Sequence, residues 1–248
     1  MEQMLEATAR AEDTHFWFLG LRRQAKLMLD SALRGTRPNL IVDCGAGTGR
    51  NLDWLREYGR VVGIELTPVG LAVGRAHRRP MVRATVAALP LADAVADVAT
   101  SFDVLYCLDD PTEARAFREM WRVLRPGGIA LVNVAALDIL RGSHSTLTHE
   151  VRRYTRERLR TRFRAAGFDV ERVTFTNMSA FAPALAVRGL ERLTGRAGEA
   201  SDADLQVPAA PINAIMDVAL RIEAGMLRVT NLPIGTSLMA VARKPTAR

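Results

Sequence analysis

The chain has 248 residues, 48% hydrophobic and 25% charged, enough for one large domain or two small ones with a sizeable core. That composition excludes a disordered tail, a collagen and a coiled coil. Net charge is +7, yet every one of the 34 basic residues except Lys26 and Lys244 is arginine. In an Ala-rich chain that bias points to GC-rich coding and dispersed surface arginine before it points to a basic binding face. Cys44 and Cys107 are too few for a disulfide framework or a four-thiolate zinc site, which fits a reducing cytoplasm. Met1–Phe18 lacks the basic start and apolar run of a signal peptide, and no stretch approaches the ~18 uninterrupted apolar residues of a membrane span.

Residues 1–38 read as an N-terminal helical segment carrying the aromatic cluster His15-Phe16-Trp17-Phe18. Strands and helices then alternate. Asn39–Asp43 is a β-rich apolar run, followed by a glycine loop and an amphipathic segment with Leu52 and Leu55 one turn apart. Arg60–Leu66 is a second strand, and Thr67-Pro68 an N-cap with a first-turn proline. Met81–Val86 and Val95–Ser101 are the third and fourth strands. Thr112–Leu124 is a helix, with Asp109-Asp110 a capping turn and not a metal site. Pro126-Gly127-Gly128 stops the helix, and Ile129–Ala135 is the fifth strand. Thr155 caps a helix to about Ala166, Gly167 ends it, and Phe168–Thr176 is a sixth strand. Two helical pieces around a polar loop fill 177–234, and Gly235–Arg243 is the last strand. This alternation predicts an α/β fold with a parallel sheet and right-handed crossovers.

The strongest local signal is Ile41-Val-Asp-Cys-Gly-Ala-Gly-Thr-Gly-Arg-Asn-Leu52. Glycines let the backbone turn sharply and let a ligand approach where a Cβ would clash. A dinucleotide fingerprint fails at Arg50, where a third glycine is required, and a Walker loop fails because Gly49 is followed by Arg50-Asn51. Glu65, at the end of the second strand, is placed to accept both hydroxyls of a ribose. Together they indicate a nucleoside ligand.

Asp43-x-Gly45-x-Gly47-x-Gly49, Glu65, Leu89-Pro90, Asp97-Val98 and Arg122-Val-Leu-Arg-Pro-Gly-Gly128 resemble the motif series of class I S-adenosylmethionine-dependent methyltransferases. The resemblance extends to one bacterial subgroup through Phe16-Trp17-Phe18, Arg22-Arg23, Ser143-His144, Arg152-Arg-Tyr-Thr155 and Gly235–Arg243. It implies one domain over 1–248: a Rossmann-like, doubly wound seven-stranded sheet with the last strand antiparallel. A helical lid (1–38) precedes the cofactor core (39–176), and a helical insert (177–234) separates strands six and seven. S-adenosyl-L-methionine is the implied cofactor. Asp43, Gly45, Ala46, Gly47, Gly49 and Asn51 would hold its methionine and ribose parts, and Glu65 and Leu66 the ribose. Thr85 and Val86 would meet the adenine, with Ser101, Phe102 and Asp103 lining the methionine side. Trp17 would face the sulfonium and Arg22 the carboxylate. Two positions depart from the pattern: Thr85 stands where an acid is usual, and Glu150, beside His149, stands where the subgroup has histidine.

Methyl transfer asks the protein mainly to align reactants and exclude water. His144, His149 and Tyr106 are the candidate bases. The expected acceptor is a small or lipid-like metabolite, because the insert is rich in Ala, Leu, Ile and Met and carries few charges in Met178–Val187 and Ile212–Leu220. The same surface suits a homodimer contact or peripheral contact with a membrane. The alternative is an RNA methyltransferase, favoured by the seven arginines of Arg152–Arg164, with Arg156, Arg160 and Arg164 sharing one helix face. No Pro-Pro-aromatic turn follows the fourth strand, so nucleic acid is the weaker expectation.

Overall fold

Alternating residues of the first strand already show why the sheet is buried on both faces. Ile41 packs into one apolar cluster with Leu29, Leu52 and Trp54, and Val42 into the other with Phe117, Met120 and Phe163. The pleat sends successive side chains to opposite faces, so a strand covered by helices on both sides must be apolar throughout. The computed structural model describes residues 2–142, 145–146, 149–194 and 206–246. Its strands are β1 (Leu40–Cys44), β2 (Arg60–Glu65), β3 (Met81–Arg83), β4 (Ala96–Phe102), β5 (Leu124–Ala135), β6 (Asp169–Thr176) and β7 (Ser237–Arg243). They form a 7-stranded sheet in the order β3-β2-β1-β4-β5-β7-β6. β1 to β5 pair in parallel, and β7 is antiparallel to both β5 and β6, as the resemblance implies.

The helices are α1 (Glu2–Ala11), α2 (Phe16–Leu33), α3 (Arg50–Leu55), α4 (Pro68–Ala76), α5 (Asp110–Val123), α6 (Arg156–Ala165), α7 (Phe181–Leu193) and α8 (Ala210–Met226). The three caps read from sequence are present. Thr67 accepts from the Gly70 N–H at 3.2 Å, Asp109 from Thr112 at 2.9 Å and Thr155 from Arg158 at 3.2 Å. Each satisfies an N–H that the helix itself cannot pair.

Two elements differ from expectation. β3 ends at Arg83, because the chain turns after Ala84 donates to the Glu65 carbonyl, so Thr85 and Val86 lie in a loop. β5 starts at Leu124, directly after α5. Pairing jumps from Ala96↔Leu124 to Val98↔Ile129, and the extra residues Arg125–Gly128 bulge outward with Gly127 at φ +81°.

The arginine run is largely internal. Arg158 and Arg162 reach the fully buried Glu113 at 2.7 and 2.8 Å, and Arg152 lies 3.0 Å from Asp110. The Tyr154 hydroxyl donates to the same Glu113 carboxylate. Arg156 stacks 4.5 Å over the Phe175 ring and donates to the Leu232 carbonyl. The expected face of Arg156, Arg160 and Arg164 is thus broken at its first member, which is spent on the core. Removing one partner from such a buried charged cluster costs about 3–5 kcal/mol. Glu113→Ala should therefore lower the melting temperature steeply, and Glu113→Gln, which keeps an acceptor for Tyr154, less so. Equal thermal stability of Glu113→Ala and the parent chain would show the cluster to be dispensable.

A candidate cofactor and acceptor cavity

A cavity of about 690 Å³ opens at the carboxyl ends of β1, β2 and β4, where open α/β sheets bind ligands. Its volume falls within the ordinary range of small-molecule sites. The floor at one end is the glycine loop. Gly45 and Ala46 donate to the Ile64 carbonyl at 2.8 and 2.9 Å, and Gly49 donates back to Ala46 at 2.8 Å. Gly45 and Gly47 adopt φ +82° and +57°, and a Cβ on Gly45 would stand 2.4 Å from Val104 Cγ2. Only glycine combines that left-handed backbone with that close approach.

Glu65 binds the two loops together. Its Oε2 accepts from the Gly47 N–H at 2.8 Å, and its Oε1 from the Thr67 N–H at 2.7 Å and the Thr67 hydroxyl at 2.6 Å. A carboxylate has about four acceptor positions, and three are taken, so this cavity-lining group keeps capacity for a ligand hydroxyl. Together with the side-chain-free surface of Gly45 and Gly47, this suits the ribose and methionine parts of S-adenosylmethionine.

Helices α1 and α2 roof this end. The Thr48 hydroxyl donates to Glu12 at 2.7 Å, and Arg22 donates to the Glu12 carbonyl at 2.6 Å. Burial holds the Glu12 carboxyl above its usual range. The His15 ring caps α2 by accepting from the Trp17 N–H at 3.1 Å. Trp17, Arg22, Ala46, Asn51, Leu66, Thr85, Val86, Phe102 and Tyr106 all line the cavity.

Other expected residues sit elsewhere. Asp43 lies beneath the loop and does not line the cavity. Its Oδ1 accepts from Thr100 at 2.7 Å, while its buried Oδ2 has no partner. Burial raises its pKa to about 7, against the opposing Thr100 bond. Gly49 serves the turn, and a Cβ there would meet Met81 Sδ at 2.7 Å. Ser101 donates to the Cys44 carbonyl at 3.0 Å inside the sheet.

The candidate bases fare differently. His149 is exposed in a turn outside the cavity, with φ +53°. His144 lies outside the described residues. Tyr106 lines the cavity, but burial pushes its hydroxyl well above the ordinary tyrosine value, so near neutrality it is a phenol and not a base.

Sequence reasoning did not place Glu12, Glu150, Arg153 or Arg188 in the cavity. Glu150 takes the position expected of His149: it is buried and accepts from Arg153 at 2.8 Å. Asp103 lines the cavity just after β4, at φ +60°. Its Oδ1 accepts from Asn133 Nδ2 at 2.9 Å, and burial lifts its pKa to about 7. The far end of the cavity is walled by Ala180, Pro183, Ala184 and Val187 from α7 and its approach, and by Ile212 and Met216 from α8.

Two outcomes are expected. Glu65→Ala should weaken S-adenosylmethionine binding by about 10- to 150-fold in calorimetry, the loss of hydrogen bonds to a charged group. An unchanged Kd in a folded variant would remove Glu65 from the site. Second, the buried Asp43 and Asp103 stay protonated in the fold up to about pH 7, whereas unfolded aspartate ionises near its ordinary value. The unfolded chain therefore loses protons first, and stability falls as pH rises through that window. Asp43→Asn should flatten the fall in urea denaturation between pH 5 and pH 8, and an identical slope in the variant would contradict this.

Comparison with known proteins agrees with the geometry. A family model described as a methyltransferase domain matches residues 42–132. A demethylmenaquinone methyltransferase from Roseiflexus sp. is 31% identical over 189 residues, covering 73% of this chain and 77% of that protein. An S-adenosylmethionine-dependent methyltransferase from Mycolicibacterium smegmatis is 37% identical over 97 residues, covering 38% of this chain and 37% of that one. Several curated relatives are matched over only about half their length. The fold is shared with an S-adenosylmethionine-dependent methyltransferase from Thermotoga maritima, with TM-score 0.60 and 18% identity over 98% of this chain and 100% of that one. With the sheet order, the glycine loop and Glu65 in place, the chain belongs to the class I S-adenosylmethionine-dependent methyltransferases, the family whose cofactor is S-adenosyl-L-methionine.

Proposed function

We propose that the chain methylates a small, apolar acceptor whose reacting atom gives up a proton. The observation that carries this reading is a single cavity that runs from the glycine loop to a wall built by the insert. The cradle suits the cofactor, and the apolar far end suits an acceptor such as a quinol ring. The Roseiflexus relative is named for demethylmenaquinone. When bound, the cofactor supplies an electrophilic methyl group on sulfur and a neutral leaving group.

The chain's own residues supply position and a proton acceptor. Asp103 stands between the two ends of the cavity. The next residue, Val104, packs against Gly45 of the loop, and Asp103 lines the cavity from the end of β4. Asn133 holds one of its oxygens. A carboxylate poised near neutrality is well matched to taking a proton at physiological pH. Arg153, paired with Glu150, bears on the same group, Arg153 lowering its pKa and Glu150 raising it. α1 and α2 close over the cradle and exclude water, the work of a lid. We place this reaction in the cytoplasm.

The test is to incubate the full chain with S-adenosylmethionine and a panel of short-chain naphthoquinols and phenols, and to look for methylated product by mass spectrometry. The proton-accepting form of Asp103 exists above about pH 7, so the rate should rise with pH up to that point and level off beyond it. Asp103→Asn should lower the rate by about 10²–10⁴-fold and abolish that pH dependence. Methyl transfer to tRNA and to no member of the panel would replace this reading with the RNA alternative.

A further inference from the structure

The apolar far end of the cavity carries one charged patch. Among the described residues, Arg22 and Arg50 line the cavity at the glycine-loop end. Arg153 and Arg188 line it at the insert end, with side chains only 8% and 7% exposed. Arginine is almost never buried to this degree unless it is paired. Arg153 donates from Nε to Glu150 Oε1 at 2.8 Å and from Nη2 to Oε2 at 3.2 Å. Arg188 donates from Nη1 to Glu191 Oε1 at 2.7 Å. By contrast Arg158 and Arg162, which serve the buried Glu113, do not line the cavity. Space is reserved for the patch. Gly142 is not in the left-handed region, so its backbone does not require glycine. A Cβ there would instead stand 2.4 Å from Arg188 Cδ and 2.3 Å from Glu191 Oε2. The loop after β5 gives way to the ion pair.

Donors and acceptors on this wall are unequal. Glu191 stands behind Arg188, and of the two carboxylates only Glu150 lines the cavity. Both Glu150 oxygens are engaged from within the protein. Oε1 accepts from Arg153 with Arg141 3.5 Å away, and Oε2 accepts from Arg153 and from the Ser145 hydroxyl at 3.1 Å. A guanidinium carries five N–H donors in a rigid fork. On Arg153, Nε and Nη2 take the Glu150 edge, and Nη1 has one long contact, 3.4 Å to the Ala136 carbonyl. Donor capacity is therefore left at the carboxyl end of β5, where Ala135 also lines the cavity. Arg188 brings a second guanidinium to the same wall. Such a wall complements a group that supplies oxygen lone pairs, and a carboxylate meets a guanidinium with two parallel charge-assisted bonds. A phosphate would set a second negative charge beside Glu150, where repulsion is weakly screened.

We infer that the acceptor carries a carboxylate, which Arg153 and Arg188 receive at the insert end of the cavity. The body of that acceptor rests on the apolar-acceptor reading, and its acidic end rests on these two side chains. The probes are a set of hydroxynaphthoates and their carboxamides, matched in shape and different in charge. Their Kd values are measured by calorimetry on the full chain saturated with S-adenosylhomocysteine, so no turnover is needed. The acids should bind at least about tenfold more tightly than the amides. Arg153→Gln/Glu150→Gln and Arg188→Gln/Glu191→Gln each remove a pair without stranding a buried acid. Each should weaken the acids by about 10- to 150-fold and leave the amides within about threefold. The Kd of S-adenosylhomocysteine should not change. Arg188→Lys, which keeps the charge and loses the fork, should fall between the parent and the glutamine variant. If no acid binds, if acids and amides bind the parent alike, or if the variants weaken both alike, the inference is overturned and the pairs belong to the frame. Equal methylation of neutral naphthols and hydroxynaphthoates would also overturn it while keeping the apolar-acceptor reading. Preferred binding of the acids with no methylated product would do the reverse, keeping the carboxylate site and removing that reading.

Discussion

The Glu65 carboxylate is the interaction on which the cavity depends. It joins the loop after β1 to the loop after β2 by accepting from Gly47 and from both the N–H and the hydroxyl of Thr67. The two loops can approach this closely because the residues between them are small. A Cβ on Gly63 would stand 2.8 Å from the Ala46 Cβ, and one on Gly70 would stand 2.5 Å from the Gly47 carbonyl oxygen. The cradle is thus preformed by charge-assisted bonds to backbone donors. Thr48, one residue beyond Gly47, then anchors the Glu12 side chain at the end of α1. Loop shape, roof position and residual acceptor capacity all follow from one carboxylate.

The insert end of the cavity depends on a second, more distant link. Asn213 of α8 accepts from the Phe16 N–H and donates to the Thr14 carbonyl, both at 2.9 Å. Arg23 and Asp217 pair at 2.6 Å along the same helix contact. Glu223 in turn accepts from Met178 at 2.8 Å and Ser179 at 2.5 Å, ahead of α7. The N-terminal roof and the late insert are therefore one packed unit, though they lie at opposite ends of the sequence. The roof over the glycine loop and the insert helices that line the same cavity are thus joined directly by hydrogen bonds and an ion pair.

These links explain what could be read in the sequence. Strand and helix order, the three caps, the glycine loop and Glu65 are local signals, and each sits where its pattern places it. Asp97 and Arg122 belong to the same motif series but act on the frame. Asp97 caps the Asn39 and Leu40 N–H groups at the start of β1, and Arg122 clamps the Leu89 and Leu91 carbonyls. Nothing local marks Glu12 or Arg188, and the motif that contains Arg153 does not say where it points; tertiary folding brings all three to the cavity. The histidine expected near the cavity fell one residue away from the side chain that arrives there, Glu150. The arginine run is ambiguous in sequence for the same reason, since Asp110 and Glu113, the partners of Arg158, are more than 40 residues distant in the chain. In α8, apolar residues at helical spacing cannot reveal from sequence which of two apolar faces is left outside.

The treatment of buried acids separates frame from site. Glu113 is as buried as any described residue, and the fold surrounds it with Arg158, Arg162 and the Tyr154 hydroxyl. Asp43 and Asp103 each receive one neutral donor, Thr100 and Asn133, and burial then moves both to about pH 7. Neither receives a hydrogen bond from arginine among the described residues, although Arg153 bears on Asp103 through space. Leaving them under-compensated costs stability, because a desolvated carboxyl with one partner is less well served than in water. Both sit at the carboxyl edge of adjacent strands, one under the glycine loop and one lining the cavity. That placement is expected where a group must change its proton at neutral pH, and where stability is surrendered locally for function.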